Sequence, residues 1–403
     1  MVKFDPFSRE FHEDPYATYD ALRAAPELPR GFGMWLLTRY DDVIGALRDR
    51  RLSSKLIPDT VAQLKPAVSE GTDYIDGFMK KAIVFTEEPD HARLRRLVRD
   101  CFDAKSIEEE RPKVRGIVAD VLASLRGRDS LDVMEEFADQ VPLRVNCERL
   151  GIPEDMRVQV RDWAYEVRFL LDPGLLSPRT FGRVQTLLNE FALYARTLVE
   201  EREANKKDDV ISRMLASRHG EDRLSVDEVI LLTMMTFVAG HETTKYLIGN
   251  GLLALAQHPE QAEKLRAQPD LAEQAVDEVL RYNCPLQATK RIAIEDIKIR
   301  DTTIKTGDKV LIILGAANRD PAKFPEPSKF DISRPDLGHV GLGYGMRACL
   351  GGSLATCEAQ EALTGFVQTF RRFEPTSERL DWQNKSRILH GVDHLPMLVS
   401  SSA

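Results

Sequence analysis

Several features that would mark other kinds of protein are missing from these 403 residues. The five cysteines, at 101, 147, 284, 349 and 357, contain no Cys-x-x-Cys pair. An odd set so spaced fits neither a disulfide framework nor a cysteine-rich zinc site, and a reducing cytoplasm is the expected home. Basic residues do not predominate: 56 Lys and Arg stand against 64 Asp and Glu, a net charge of −8. That balance argues against a nucleic-acid binder held by phosphate contacts. No apolar run is long enough to span a bilayer, and the N-terminal MVKFDPFSREFHEDPYATYDALR carries acids and prolines where a signal peptide needs a hydrophobic stretch. The expectation is a chain with no membrane partner. Internal repeats and low-complexity linkers are absent too, which removes solenoids and flexible arrays.

What remains is the composition of an ordinary enzyme, 43% hydrophobic and 30% charged, in a chain long enough to bury a large core. Pro15 opens a short helix over 15–24; 35–39 reads as strand and 42–48 as helix. The segment 56–83 is poorly patterned, and its apolar residues favour a lid. At 90–99 (DHARLRRLVR) the chain turns basic. A solvated helix face is the plain reading, but His91 and Arg95 lie four apart on one side, able to grip an acidic ligand. From 110 to 225 amphipathic helices follow one another, for example over 114–125 and 183–201.

Ser225 and Glu228 form a capping box, and nothing breaks the pattern before Pro259. The spacing predicts a helix over 226–257, roughly 48 Å long at 1.5 Å per residue. Its group Ala239-Gly240-His241-Glu242-Thr243-Thr244 is polar inside an apolar helix, which demands a reason. A His-Glu-x-x-His zinc site fails, because position 245 is Lys245. A carboxylate beside a hydroxyl suits proton delivery better. Asp270 and Glu273 then cap a helix over 271–282, whose Glu278 and Arg281 make a surface ion bridge in the plain reading. Residues 292–300 and 309–314 are strand-like, joined through a Thr-Gly-Asp turn. The proline-rich NRDPAKFPEPSKFDISRP leads into GLGYGMRACLGGSLA, residues 341–355. Glycines 341, 343 and 345 permit tight turns, and Leu354, Ala355, Ala359 and Leu363 mark a helix face. Cys349 at the helix N-terminus would be a thiolate. A packed cysteine and a phosphate loop are the alternatives, the latter lacking its Gly-Lys-Ser/Thr ending.

In this order the motifs resemble the cytochrome P450 family, the haem-thiolate monooxygenases, and closely resemble its soluble bacterial members over nearly the full chain. Gly343, Gly345, Arg347, Cys349 and Gly351 match the cysteine-ligand loop, and Ala239 to Thr244 the oxygen-activation motif. Glu278, Arg281 and Arg334 match a buried structural network. The resemblance implies a mainly α fold with a small β subdomain, a long central helix lying over a buried haem. It implies one domain over 1–403, helix-rich at about 85–283 and 349–372 and β-rich at about 30–55, 285–315 and 375–400.

The cofactor so implied is haem b (iron protoporphyrin IX), with Cys349 as its axial thiolate and metal ligand. His91, Arg95, Arg291 and Arg347 would meet the propionates, and Gly343, Gly351, Ala239 and Gly240 would border the ring. Thr243 and Glu242 would be the catalytic pair. Val84, Met235, Val238, Ala239, Gln287, Ala288, Leu389 and His390 would line the substrate pocket. The implied reaction inserts one oxygen atom of O2 into a mostly hydrophobic small molecule, by hydroxylation or epoxidation, in secondary metabolism. Peroxygenase or oxidative-coupling chemistry is the alternative, and a non-catalytic haem sensor stands further off. A ferredoxin with an NAD(P)H-dependent ferredoxin reductase would supply electrons to a cytoplasmic monomer. Arg93, Arg96 and Arg99 offer a face for an acidic ferredoxin. Two positions depart from the family pattern: Leu342, where Phe is usual, and Thr356, where a basic residue is common.

Overall fold

The computed structural model describes residues 4–64, 74–335 and 338–401. The middle of the expected lid, 65–73, lies outside the described residues. On either side of it Leu56–Leu64 and Tyr74–Lys81 are helices rather than irregular chain. In the second of these Ile75, Phe78 and Met79 are buried, at the three- and four-residue steps of a helix face.

The chain forms two compact units. The first comprises 1–53, 110–141 and 243–403. Its five-stranded sheet runs Arg30–Gly31, Met34–Leu37, Lys309–Ile313, Ala288–Ala293, Leu52–Ser53. Lys309–Ile313 is parallel to Met34–Leu37 and antiparallel to Ala288–Ala293, pairing Val310 with Arg291 and Ile313 with Ala288. Val310 and Ile312 pack with Leu37, Val43 and Ala46, while Leu311 and Ile313 pack with Tyr19 and Leu22. Both faces are covered, which is why the central strand reads as a continuous apolar run. A three-stranded sheet sets Pro396–Ser401 between Phe370–Pro375 and Ser130–Asp132.

The strand expected over 292–300 is two strands. The first ends at Ala293, and Ile297–Ile299 pairs with Thr302–Ile304 in a separate hairpin that turns through Arg300 at φ 53°. Asp296 makes the break, accepting the Thr306 N–H at 2.9 Å. The helix Ala272–Tyr282 also begins otherwise than expected. Leu271 is its N-cap with no side-chain bond, so Asp270 and Glu273 form no capping box, and a short 3-10 turn at Pro269–Leu271 leads in instead. It packs against Gly352–Thr369.

The second unit comprises 54–109 and 142–242. It is built of helices, among them Asp90–Val98, Arg157–Val167 and Pro178–Ala204, with Trp163 stacked on Phe191 between the last two. A small hairpin pairs Arg218–His219 with Asp222–Arg223. The long helix is Val226–Gln257, 32 residues, with the bounds the caps predict. Ser225 N–H donates to Glu228 Oε2 at 2.8 Å, and Glu228 N–H to Ser225 Oγ at 3.2 Å. The division between the units falls inside this helix, after Glu242. Among the described residues no helix is long and apolar enough to cross a membrane.

Candidate functional site

The proline-rich stretch leaves several carbonyls that no helix or sheet pairs, and the buried Arg281 and half-buried Arg334 collect them. Arg281 Nε lies 2.7 Å from Glu278 Oε2 and its Nη2 2.9 Å from Oε1. Its remaining N–H groups donate to the carbonyls of Pro327 at 2.8 Å, Lys329 at 3.0 Å and Asn318 at 3.2 Å. Arg334 approaches from the other side, with Nε 3.3 Å from Glu278 Oε2 and bonds to the Pro325 and Lys329 carbonyls. Glu278 and Arg281 are fully buried, so the pair that spacing alone reads as a surface bridge is internal.

Asn318 carries this framework to the cysteine loop. Its Nδ2 donates to the Leu280 carbonyl at 3.0 Å, and its Oδ1 accepts the Val340 N–H at 2.7 Å. At Gly341 a Cβ would sit 2.7 Å from the Leu280 carbonyl oxygen, so only glycine passes. Gly343 and Gly345 then take φ of 71° and 72°, a region that side chains disfavour. Cys349 N–H closes the loop on the Leu342 carbonyl at 2.8 Å. Leu342 Cδ1 reaches to within 3.3 Å of where a Gly352 Cβ would stand, so this side chain lies along the cysteine's own loop. The helix Gly352–Thr369 starts after Gly351, which sets Cys349 just ahead of the helix rather than in its first turn. Cys349 is exposed, while Cys101, Cys147, Cys284 and Cys357 are buried. Burial pushes the Cys147 and Cys284 thiols up to about 12, which keeps them protonated.

The long helix is buried almost all round, with one stripe left open. Thr236, Gly240 and Thr243 are half-buried and Ala239 is exposed, at positions i, i+4, i+7 and i+3 of one face. The polar group beside it is accounted for residue by residue. Glu242 Oε2 is 3.2 Å from Arg168 Nε, and that guanidinium lies against the rings of Tyr165 and Phe169 at 4.3 and 4.5 Å. His241 stacks on Phe237 at 5.7 Å. Lys245 Nζ is 3.4 Å from Asp139 Oδ1, an ion pair where a zinc motif needs its second histidine. Gly240 has a neighbour that its sequence context does not show. Asn146 is fully buried, and its Oδ1 would lie 3.3 Å from a Cβ at position 240. Arg168, Asp139 and Asn146 escape sequence reading because they lie far along the chain from the residues they serve.

In the first unit, Arg291 is half-buried in the sheet with Nη1 on Thr289 Oγ1 at 2.7 Å and on the Lys290 carbonyl at 2.8 Å, and Arg347 is half-buried in the cysteine loop. In the second, His91 is buried with Nδ1 3.3 Å from Glu88 Oε1, one helical turn from the half-buried Arg95. The arginines expected to face a redox partner each have an acidic neighbour, and Arg96 and Arg99 remain exposed. Arg93 pairs with Asp222 and Glu228, Arg96 with Asp222, and Arg99 with Asp100.

The residues expected to line the substrate pocket differ in their surroundings. His390 is buried and stacked on Trp382; its Nδ1 meets the Asn283 side-chain amide at 2.8 Å and its Nε2 the His12 carbonyl at 3.0 Å. Burial drives its pKa from 6.5 to about 3, so the ring is neutral and has a single N–H, which the His12 carbonyl can accept. Gln287 is likewise buried, its Nε2 bonded to the Cys284 carbonyl at 2.7 Å. Of the others, Val84 and Ala239 are exposed, Leu389 is half-buried, and Met235, Val238 and Ala288 are buried.

A family model described as Cytochrome P450 matches residues 170–392. The chain is 35% identical over 403 residues to the 6-deoxyerythronolide B hydroxylase of Saccharopolyspora erythraea, covering 97% of each chain. It is 34% identical over 399 residues to the biotin biosynthesis cytochrome P450 of Bacillus subtilis, again over 97% of each. The crystal structure of CalO2 superposes with a TM-score of 0.92 at 30% identity, with 100% of both chains covered.

Proposed function

The chain belongs to the cytochrome P450 family and is a haem monooxygenase of secondary metabolism, and on that premise we propose that Cys349 is the thiolate ligand of haem b. The observation that carries this is Cys349 itself: an exposed cysteine at the end of a loop of left-handed glycines, against four buried ones. The surrounding donors fit the group. Arg291, Arg347, His91 and Arg95 are the residues we assign to the propionates, through charge-assisted bonds. The open stripe Thr236–Ala239–Gly240–Thr243 gives a flat ring and a small ligand a helix face without bulky side chains. When bound, haem with an axial thiolate activates dioxygen, so that one oxygen atom enters the substrate and the other leaves as water.

The chain's own residues then orient substrate and move protons. Thr243 presents a hydroxyl on the open stripe, where it would hold or pass on a proton. Glu242, the next residue back and 3.2 Å from Arg168, would relay a proton taken from solvent toward that hydroxyl. Val84, Met235, Val238, Ala239, Ala288 and Leu389, the apolar residues we assign to the substrate lining, suit a hydrophobic substrate for hydroxylation or epoxidation. A polyketide fits that lining, and one relative is named a 6-deoxyerythronolide B hydroxylase. Electrons come from a protein redox partner. We assign that role to a ferredoxin with its NAD(P)H-dependent reductase, acting on a cytoplasmic monomer.

Reduced protein under carbon monoxide should give the red-shifted Soret band of thiolate ligation, and Cys349→Ser should lose it. A histidine-type band in the parent, or a thiolate band that survives in Cys349→Ser, overturns the assignment. A compound-library screen for displacement of the haem-bound water then identifies the substrate class.

A further inference from the structure

The Asp90–Val98 helix presents His91 and Arg95 on one side and Arg93 on another, and Arg93 is where it is fastened. Arg93 Nη1 is 3.1 Å from Asp222 Oδ1 and 3.3 Å from the Arg223 carbonyl, while Nη2 bonds Glu228 Oε1. Arg96 Nη2 stands 3.6 Å from Asp222 Oδ2. At the far end of the helix the Leu97 carbonyl accepts from Ser217 Oγ. Asp222 belongs to the small hairpin, which Ser217 precedes, and Glu228 to the first turn of the long helix. Three carboxylate contacts and a carbonyl contact therefore converge on one arginine and its neighbour.

The helix needs such a fastening. Nine residues are too few to be helical alone, and its N-cap is Pro89 with no side-chain bond. Leu94, Leu97 and Val98 bury one face, but apolar packing is not directional and leaves the helix free to rotate by part of a turn. Charge-assisted bonds fix direction. We propose that Arg93 is a positioning residue for haem capture. By tying its helix to the hairpin and to the first turn of the long helix, it sets where His91 and Arg95 stand and hence how long haem is retained. This rests on the reading that His91 and Arg95 hold the propionates.

The test is the rate at which the haem-loaded protein gives up haem to excess apomyoglobin, with thermal unfolding of each variant followed alongside. Arg93→Ala should release haem about five- to tenfold faster, the scale of one ordinary hydrogen bond's net contribution. Arg93→Lys, which keeps one ionic contact, should recover much of the parent rate. Asp222→Asn added to Arg93→Ala should cost little more, because both act through one clamp. Arg196→Ala is the control: Arg196 bonds Asp227 at 3.0 Å, in the same first turn of the long helix, from the Pro178–Ala204 helix instead. It should leave haem release unchanged. Equal acceleration by Arg196→Ala, or none by Arg93→Ala, overturns the proposal. The double variant H91A/R95A tests the underlying reading: release at the parent rate overturns that reading, whereas fast release with Arg93→Ala silent overturns the clamp alone.

Discussion

His390 shows how much of a residue's environment lies outside its own stretch of sequence. Its position in a pocket-lining stretch is legible, but Asn283 and His12, which its two nitrogens meet, lie far away along the chain. Unfolded, the imidazole takes up a proton near pH 6.5; folded, burial holds it neutral down to about 3. Between those values the unfolded chain binds more protons. Stability is therefore complete above about pH 6.5 and is lost as pH falls through that window. His12, whose pKa burial also lowers, acts in the same direction. His390→Gln should flatten the dependence: the fall in urea midpoint between about pH 7 and about pH 5 should be smaller than in the parent. An identical fall would mean that His390 is not the group responsible. The loop of Cys349 is the opposite case: its glycines are contiguous with it, so their tight turns are legible locally.

Among the elements, the long helix was readable end to end, since both its signals are local: the Ser225–Glu228 box and Pro259. Local signals misled at two other places. Asp270 and Glu273 have capping-box spacing, yet Pro269 draws the chain into a 3-10 turn and Leu271 takes the cap. The alternation of IAIEDIKIR continues through a break that Asp296 makes by hydrogen-bonding to Thr306. The basic helix was found, but the destination of its charge was not, because Asp222 and Glu228 lie on other elements. The buried Glu278 pair makes its own prediction at this scale. Glu278→Ala leaves Arg281 charged, buried and without its carboxylate, at a cost of about 3–5 kcal/mol. The variant should unfold at correspondingly lower denaturant and lose its hold on the run that feeds the cysteine loop. A midpoint within error of the parent would show that the carbonyls alone satisfy the arginine.

At the scale of the whole molecule, helical spacing and the order of the motifs pointed to the mainly helical class, but not to a division in which one unit is assembled from three separated segments. The three-stranded sheet stitches two of these together, with Pro396–Ser401 between Phe370–Pro375 and Ser130–Asp132. Met397 and Val399 are buried in it, worth roughly 1.5–3 kcal/mol each. A chain ending at Leu395 should melt lower and purify with less haem per protein, read from the Soret-to-280-nm ratio; unchanged values would show the strand to be dispensable. That sheet also sets an order of events during synthesis. When Ser130–Asp132 leaves the ribosome its pairing edge has nothing to meet, and it waits through the making of the long helix, the Glu278 network and the cysteine loop. The first unit closes only when Pro396–Ser401 arrives, so for most of its time as a nascent chain the protein carries an open edge that a chaperone has reason to cover.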